Sequence, residues 1–341
     1  MSSEYKNTIT LHKGRSNKPA VIFIHGLGMD QRIWVNPDEA RMLAGRFPLR
    51  YLLSEKPEPI KCGTGEKMPD VRYRRFSIGK TKRDLKTSFA DLNSLKYTVI
   101  AWSQRRPAGP IDIAVSELKK VVEFSKEYTR DGIILIGHSR GGLIARKYLE
   151  CGDVSIKGLI TLATPHHGST IAKWAEYISP LASVIGDLVH EEDKKKFSYT
   201  IDRVLDFIGS KAIIELLPDS TFFRSLKNGK RATIPCFSCG GTNPSLFSLY
   251  RWRLKVRASR GIFTWMIEPV ELFSIPDILE KVIPKKFYPA ELKRGYGDGL
   301  VSAQSSRLPW CDNHYDFDVN HASILFDEEV RRKVVEAVAE M

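Results

Sequence analysis

Residues 132–142 read GIILIGHSRGG, an apolar run that ends in a glycine-rich turn. Residues 132–137 have the apolar, β-branched character of a buried strand, and the residues after the turn, 141–150, have a helical pattern. The turn matches G-x-S-x-G, in which a serine stands on a strained strand-to-helix turn. Glycines suit the flanking positions because side chains would clash there. The stretch predicts Ser139 as a nucleophile, supported by Gly137, His138 and Gly141.

Four further apolar runs have the same character as the strand before Ser139. They are residues 20–25 (AVIFIH), 97–102 (YTVIAW), 156–163 (IKGLITLA) and 233–240 (TIPCFSCG). Near-continuous apolar strands are typical of a mostly parallel sheet that is covered on both faces. Helical patterns alternate with them, for example over residues 112–128, where apolar side chains gather on one side. We therefore expect an α/β fold with a doubly wound parallel sheet flanked by helices.

Composition favours one folded domain over the whole chain, 1–341. Apolar residues make up 42% of the sequence and charged residues 27%, as in globular proteins, so overall disorder is not expected. The N-terminus shows no segment of signal-peptide character, and no stretch reaches the roughly 18 to 20 apolar residues that span a bilayer. We expect a cytoplasmic protein without a cofactor.

The net charge of +13 would attract anionic surfaces, but no nucleic-acid-binding motif accompanies it, so we expect no nucleic-acid partner. The stretch 245–290 is predicted to be a second insertion, and it mixes aromatic residues with five basic residues between Arg251 and Arg260. One interpretation is peripheral contact with an anionic membrane. The alternative is an ordinary lid or core subdomain.

A serine hydroxyl needs a base, which is best a histidine oriented by a carboxylate. On the nucleophile-elbow folds the chain order is serine, acid, histidine. His321 is the favoured base because it lies just before the last helix, and His314 is the alternative. Asp298, between Gly297 and Gly299, is the favoured acid. The alternatives to Asp298 are Asp219, Asp316 and Asp318.

Two backbone amides should stabilise an oxyanion. The first is that of Arg140, directly after the serine, and the second is that of Leu27 in the turn after the first strong strand. The turn consists of His25, Gly26, Leu27 and Gly28. The alternative interpretation of this turn is a plain glycine-rich strand end.

The other candidate metal or redox residues favour structural roles. His166 and His167 are adjacent, so their side chains diverge and rarely share one ion. Five scattered cysteines fit reduced thiols, and the CxxC of Cys236 and Cys239 falls on an apolar strand. No second CxxC completes a zinc site. We expect no metal.

Together, five motifs resemble the bacterial lipase and esterase branch of the α/β-hydrolases. They are HGLG (25–28), GHSRGG (137–142), ATPHHGS (163–169), GDGLVS (297–302) and NHASIL (320–325). That branch includes triacylglycerol lipases and is similar to deacylases that act on GPI-anchor inositol. The resemblance implies the α/β-hydrolase fold and a triad of Ser139, Asp298 and His321.

The resemblance further implies Leu27 and Arg140 as oxyanion donors and a helical lid, for which 170–230 is the candidate. Some members bind calcium near the histidine loop, but the sequence does not show their calcium pattern around Asp312, Asp316 and Asp318. The expected function is hydrolysis of a small-molecule or lipid carboxylic ester. An acyltransferase or amidase would use the same residues, and a non-catalytic binding protein on this fold is the remaining alternative.

Overall fold

The chain is described here from a computed structural model. The described residues are 8–42, 47–49, 53–65, 76–78, 80–81, 84–171, 211–226, 234–245, 248–259, 262–274, 280, 286 and 288–341.

The described strands and helices alternate along most of the chain. The strands are β1 (Ile9–His12), β2 (Ala20–Ile24), β3 (Arg41–Met42), β4 (Phe47–Pro48), β5 (Ser54–Glu55), β6 (Ile60–Thr64), β7 (Phe76–Ile78), β8 (Lys80–Thr81), β9 (Thr98–Trp102), β10 (Ile133–His138), β11 (Ile156–Leu162), β12 (Cys236–Gly241), β13 (Ser248–Ser259), β14 (Ile262–Ser274) and β15 (His314–Phe317). The α-helices are α1 (Arg32–Val35), α2 (Ser88–Ser94), α3 (Ile111–Ser125), α4 (Arg140–Leu149), α5 (Lys211–Ile214), α6 (Thr221–Ser225), α7 (Ala303–Ser306) and α8 (Glu328–Glu340). Short 3-10 helices cover Pro37–Glu39, Lys126–Tyr128, Ala290–Leu292 and Ser323–Leu325.

A seven-stranded sheet forms the centre of the fold. Its strand order is β1-β9-β2-β10-β11-β12-β15, and only the edge strand β1 runs antiparallel to its neighbour. Each of the five apolar runs found in the sequence forms one of its parallel strands. The predicted α/β fold with a doubly wound sheet is therefore confirmed.

The sheet separates two apolar layers, because alternate side chains of each strand face opposite sides. On one side, Phe23 and Ile136 pack with α2 and α8. On the other side, Ile22 and Leu135 pack with α3 and α4. Both faces are thus covered, which explains why these strands are apolar throughout rather than alternating.

A second, four-stranded antiparallel sheet has the order β6-β14-β13-β7. Its central hairpin, β13–β14, comes from the predicted insertion 245–290, and its outer strands come from the stretch between β2 and β9. Both segments leave the central sheet from the carboxyl ends of parallel strands. The small sheet therefore belongs to the edge of the fold where the strand-to-helix turns lie.

The predicted lid, 170–230, falls mostly outside the described residues. Its described residues are 170–171 and 211–226. The latter range contains α5 and α6, whose Ala212 and Phe222 pack in the same apolar layer as α3 and α4. A covering role for the segment stays a prediction. Among the described residues, no helix combines the length and apolarity needed to cross a bilayer.

Helix α4 crosses the sheet so closely that its first residues leave no room for side chains. A Cβ on Gly141 would collide with the carbonyl oxygens of Ile24 and His25, the latter at 2.8 Å. A Cβ on Gly142 would collide with the Thr164 side chain. These contacts fix α4 against the ends of β2 and β11.

Replacing Gly141 with Ala is expected to destabilise the protein by about 2–4 kcal/mol, since backbone atoms must move to admit the methyl group. Urea denaturation followed by circular dichroism measures the change. Gly152→Ala is the matched control: no atom lies within 4 Å of its Cβ, so the positive φ of 70° adds only about 1 kcal/mol. Equal losses in both variants would contradict the close crossing.

Candidate active site

Ser139 lies on the turn between β10 and α4 in a backbone conformation that residues other than glycine rarely adopt. Its φ is 53° and its ψ is −128°, a state that costs about 1–3 kcal/mol. The turn is held by two backbone hydrogen bonds: Ser139 N donates to Leu162 O (2.8 Å), and Gly142 N donates to Ser139 O (3.0 Å). The strained serine is therefore fixed from both sides and stands at the carboxyl edge of the sheet.

The structure brings His321 and Asp298, the favoured base and acid, to Ser139. His321 Nε2 lies 3.0 Å from Ser139 Oγ, and His321 Nδ1 lies 2.8 Å from Asp298 Oδ2. All three side chains are buried. An ionised carboxylate only accepts, so Nδ1–H donates to Asp298 and Nε2 is left to accept the serine proton. This tautomer is the one that a base acting on Ser139 requires.

The Asp298 carboxylate is itself fixed by its own loop. Its Oδ1 accepts hydrogen bonds from Leu300 N (2.9 Å) and Val301 N (2.7 Å). The loop also meets the histidine through the backbone, since His321 N donates to Asp298 O (3.0 Å). The amides offset the cost of burying a negative charge and aim the second oxygen at the imidazole.

His138, the last residue of β10, is hydrogen-bonded to the backbone of His321. Its Nε2–H donates to the His321 carbonyl oxygen (2.9 Å), and the two ring centroids lie 5.0 Å apart. Burial, together with the nearby His321, lowers the pKa of His138 to about 3. The ring is therefore neutral and adds no positive charge beside the imidazole of His321.

The turn from His25 to Gly28 packs against the serine. A Cβ on Gly26 would lie 3.2 Å from the Ser139 Cβ and 3.1 Å from His138 Nδ1, so only glycine leaves the present spacing undisturbed. Gly28 has a φ of 67°, which favours glycine, and its amide donates to Pro107 O (3.1 Å). This arrangement sets the Leu27 segment beside the start of α4, where Arg140 follows the serine.

A buried network that no sequence motif indicates fixes this turn. Gln104 N donates to His25 Nε2 (3.0 Å), and Gln104 Nε2 donates to His25 O (3.0 Å). The Gln104 Oε1 then accepts from Arg140 Nη1 (2.9 Å), and Arg140 Nη2 donates to Gly109 O. Burial lowers the pKa of Arg140 to about 10 and that of His25 to about 4. Arg140 thus stays charged and His25 neutral near pH 7.

The alternative residues lie in other settings. His314 is on β15, where its ring contacts Ser238 Oγ (2.8 Å) and Asp316 Oδ1 (3.2 Å). Asp219 is exposed in the turn before α6, and the residue that caps α6 is Ser220.

The residues considered for metals have structural contacts. His166 is buried, its Nε2 lies 3.0 Å from Thr161 Oγ1, and its carbonyl accepts from Arg146 (2.7 Å). Cys239 is buried on β12, as expected for a thiol on an apolar strand. Within the described part of the chain, no group of three or more His, Cys, Asp or Glu side chains could hold a metal ion.

Comparisons with known proteins bear on the fold and on the broad family. Residues 66–201, which contain Ser139, match the family model of palmitoyl protein thioesterase. No curated protein matches the chain. A lipase of Bacillus licheniformis in its mature form is similar in structure, with a TM-score of 0.52 and 15% identity over 97% of each chain. Its propeptide form has a TM-score of 0.52 and 14% identity over 98% of this chain and 53% of that one.

A putative aryl esterase of Burkholderia cenocepacia has a TM-score of 0.42 and 13% identity, over 97% of this chain and 94% of that chain. The chain has the α/β-hydrolase fold, and its resemblance to lipases and esterases is confirmed. The comparisons also support the expected class of enzyme, a carboxylic ester hydrolase.

Replacing Arg140 with Met is expected to lower kcat for a p-nitrophenyl ester by about 10- to 100-fold, with little change in KM. The reason is that Gln104, which is hydrogen-bonded to the turn beside Ser139, loses its own hydrogen bond from the Arg140 side chain. Small displacements in an active site cost this much. Steady-state kinetics separate the two constants. Arg146→Met is the matched control, because Arg146 is a buried arginine of the same helix that bonds His166 instead. Equal losses of kcat in both variants would show a general effect on stability.

Acid is expected to destabilise the fold because three histidines, His25, His138 and His166, have lowered pKa values caused mainly by burial. Each takes up a proton on unfolding as the pH falls below about 6.5, down to about 4 for His25 and about 3 for His138. The free energy of unfolding therefore falls by about 1.4 kcal/mol per pH unit for each. Urea denaturation at several pH values measures this slope. His138→Asn should reduce the slope by about 1.4 kcal/mol per pH unit, which corresponds to one proton. An unchanged slope would contradict the prediction.

Proposed function

We propose that this chain hydrolyses carboxylic esters or thioesters through an acyl-enzyme on Ser139, with His321 as base and Asp298 as its orienting acid. One observation carries the proposal: His321 Nε2 lies 3.0 Å from Ser139 Oγ while its Nδ1 lies 2.8 Å from the Asp298 carboxylate. These are hydrogen-bond distances, as proton transfer between serine and imidazole requires.

In the first step, Ser139 Oγ attacks the carbonyl carbon of the substrate and its proton moves to His321 Nε2. The tetrahedral intermediate collapses when His321 returns that proton to the leaving alcohol or thiol. In the second step, water gives its proton to His321 and attacks the acyl-enzyme, which releases the acid and restores Ser139. Asp298 stays ionised and stabilises the imidazolium in both steps.

The amides of Leu27 and Arg140 are the proposed donors to the oxyanion. Support comes from the close packing of Gly26 on Ser139 and from the position of Arg140 at the N-terminus of α4. An anion at this point also meets the positive end of the helix dipole. The hydrogen bond from Gln104 to His25 keeps the turn that contains Leu27 in place before substrate binds, so little reorganisation is needed.

The substrate is proposed to carry an acyl chain in an oxygen ester or thioester. The family matched over residues 66–201 is named for thioesters of palmitoylated proteins, and the fold is that of a lipase. Acyl transfer to another alcohol, or cleavage of an amide, would begin with the same attack by Ser139. Oxygen esters, thioesters and amides of one acyl chain, offered in parallel, rank these reactions by kcat/KM.

Ser139→Ala is expected to abolish labelling by a fluorophosphonate probe and to lower kcat on p-nitrophenyl esters by about 10^4-fold or more. Asp298→Asn is expected to lower kcat by about 10^4-fold, because the amide does not hold His321 in the required tautomer. The assays are gel fluorescence and release of p-nitrophenol.

Two controls test the assignment within the same assays. Ser116→Ala removes a serine hydroxyl that bonds only the Asp112 carbonyl on α3, and His314→Gln removes the alternative histidine. Both variants should retain labelling and turnover. Full activity of Ser139→Ala, or loss of activity in His314→Gln with retention in His321→Gln, would overturn the proposed roles.

A further inference from the structure

The hairpin β13–β14 carries a row of cations on one side of the second sheet. Arg251, Arg253, Lys255 and Arg257 alternate along β13, and all four are exposed. Alternate residues of a strand point to the same face and lie about 7 Å apart, so the row is about 20 Å long. Lys61 of β6 lies opposite Met266 of β14 and extends the row across the sheet. These five residues are named the basic face.

Little acidic charge offsets the basic face. On β14, the positions that lie opposite the four cations of β13, and so on the same side of the sheet, are occupied by Thr264, Met266, Glu268 and Val270. Glu268 is the one acidic side chain among the described residues of this face, and it pairs with Lys255 at 2.8 Å. Among the described residues, the acidic charge of this face is thus taken up by Lys255, which leaves Arg251, Arg253 and Arg257 as cations that an anionic partner can meet.

Exposed apolar side chains border these cations. Val270 lies opposite Arg251 and is 41% exposed, and Ile262 at the outer end of the hairpin is 56% exposed. On the reverse side of that outer end, Val256 and Phe263 are also exposed. Apolar side chains beside cations match the boundary between lipid headgroups and acyl chains, where both kinds of group are stabilised.

The face is poorly suited to single-stranded nucleic acid, which needs aromatic rings on which bases stack. The described residues of β6, the four cationic positions of β13 and the β14 positions opposite them carry no aromatic side chain, and on β7 the strand register places Phe76 opposite Arg251. Trp252 and Trp265 of the hairpin point to the reverse side, and their indole N–H groups donate to Ser77 Oγ (2.8 Å) and Gly65 O (3.1 Å).

The segment just before the hairpin, which contains Asn243 and Ser245, is hydrogen-bonded to the loop that carries His321. Asn320 Nδ2 donates to Ser245 O (2.9 Å), and Asn243 N donates to Val319 O (3.2 Å). The hairpin begins three residues after Ser245. A surface bound by the hairpin would therefore lie at the same edge of the central sheet as Ser139.

From these observations we propose that the basic face docks on an anionic phospholipid membrane. The charged row contacts the headgroups, and the apolar residues at its ends enter the boundary of the acyl region. Binding is a property of the hairpin and needs no turnover, so its test is independent of the proposed hydrolysis.

The test is flotation of the full chain with vesicles of phosphatidylcholine alone or mixed with phosphatidylglycerol, at low and high salt. We expect binding to the mixed vesicles only, weakened by salt. Each cation near the surface contributes about fivefold in affinity, so R251Q/R253Q/K255Q/R257Q should lose on the order of 100-fold or more. K13Q/R15Q/K119Q/K120Q, which removes the same charge from other exposed positions, should bind nearly as the parent does.

The double variants R251Q/R253Q and K255Q/R257Q, each expected to lose about 25-fold, replace the quadruple variant if its circular dichroism shows misfolding. The proposal is overturned by three outcomes: no salt-sensitive binding to the anionic vesicles, equal losses in the hairpin and control variants, or equal binding to neutral vesicles. Loss of RNA binding in the hairpin variant with unchanged vesicle binding would assign the face to nucleic acid and overturn it as well.

Discussion

The close crossing of α4 over the ends of β2 and β11 is the constraint on which the site depends. Gly141 touches the backbone of the β2 end, and Gly142 touches Thr164 after β11. This contact forces the sharp turn in which Ser139 has a positive φ. Tight packing and the strained serine are two aspects of one geometry, since the strain persists only where surrounding atoms leave no alternative.

Around that turn the site is held by side chains and loop amides other than the groups proposed to act on the substrate, and Arg140 contributes to this support through its side chain. The Asp298 loop satisfies one carboxylate oxygen with its own amides, and His138 holds the carbonyl of His321. Gln104 and Arg140 hold the turn on the other side. Because these groups are buried and hydrogen-bonded, the geometry around Ser139 is in place before any ligand binds.

The second sheet gives the fold a surface that the central sheet lacks. Its hairpin places cations and exposed apolar residues on two paired strands, while the segment before the hairpin is hydrogen-bonded to the loop before His321. The site and the basic face are thus linked through a few residues, Ser245 and Asn320 among them. Chemistry on acyl esters and docking on a lipid surface are compatible with one orientation of the molecule.

The sequence by itself determined the central sheet and the chain order of Ser139, Asp298 and His321, because apolar runs and glycine-flanked turns are local signals. It also marked the basic and aromatic stretch 245–290, although not as a hairpin, even though the basic residues from Arg251 to Arg257 alternate with a strand's period of two. Apart from residues 170–171 and 211–226, the predicted lid is not among the described residues.

Only the tertiary structure decided which long-range partners meet. Gln104 lies in a loop without any motif, and its bonds to His25 and Arg140 depend on three separate segments coming together. The same holds for β6 and β14, which pair although about 200 residues separate them. Such contacts arise from the packing of distant segments, so no local periodicity or spacing in the chain records them.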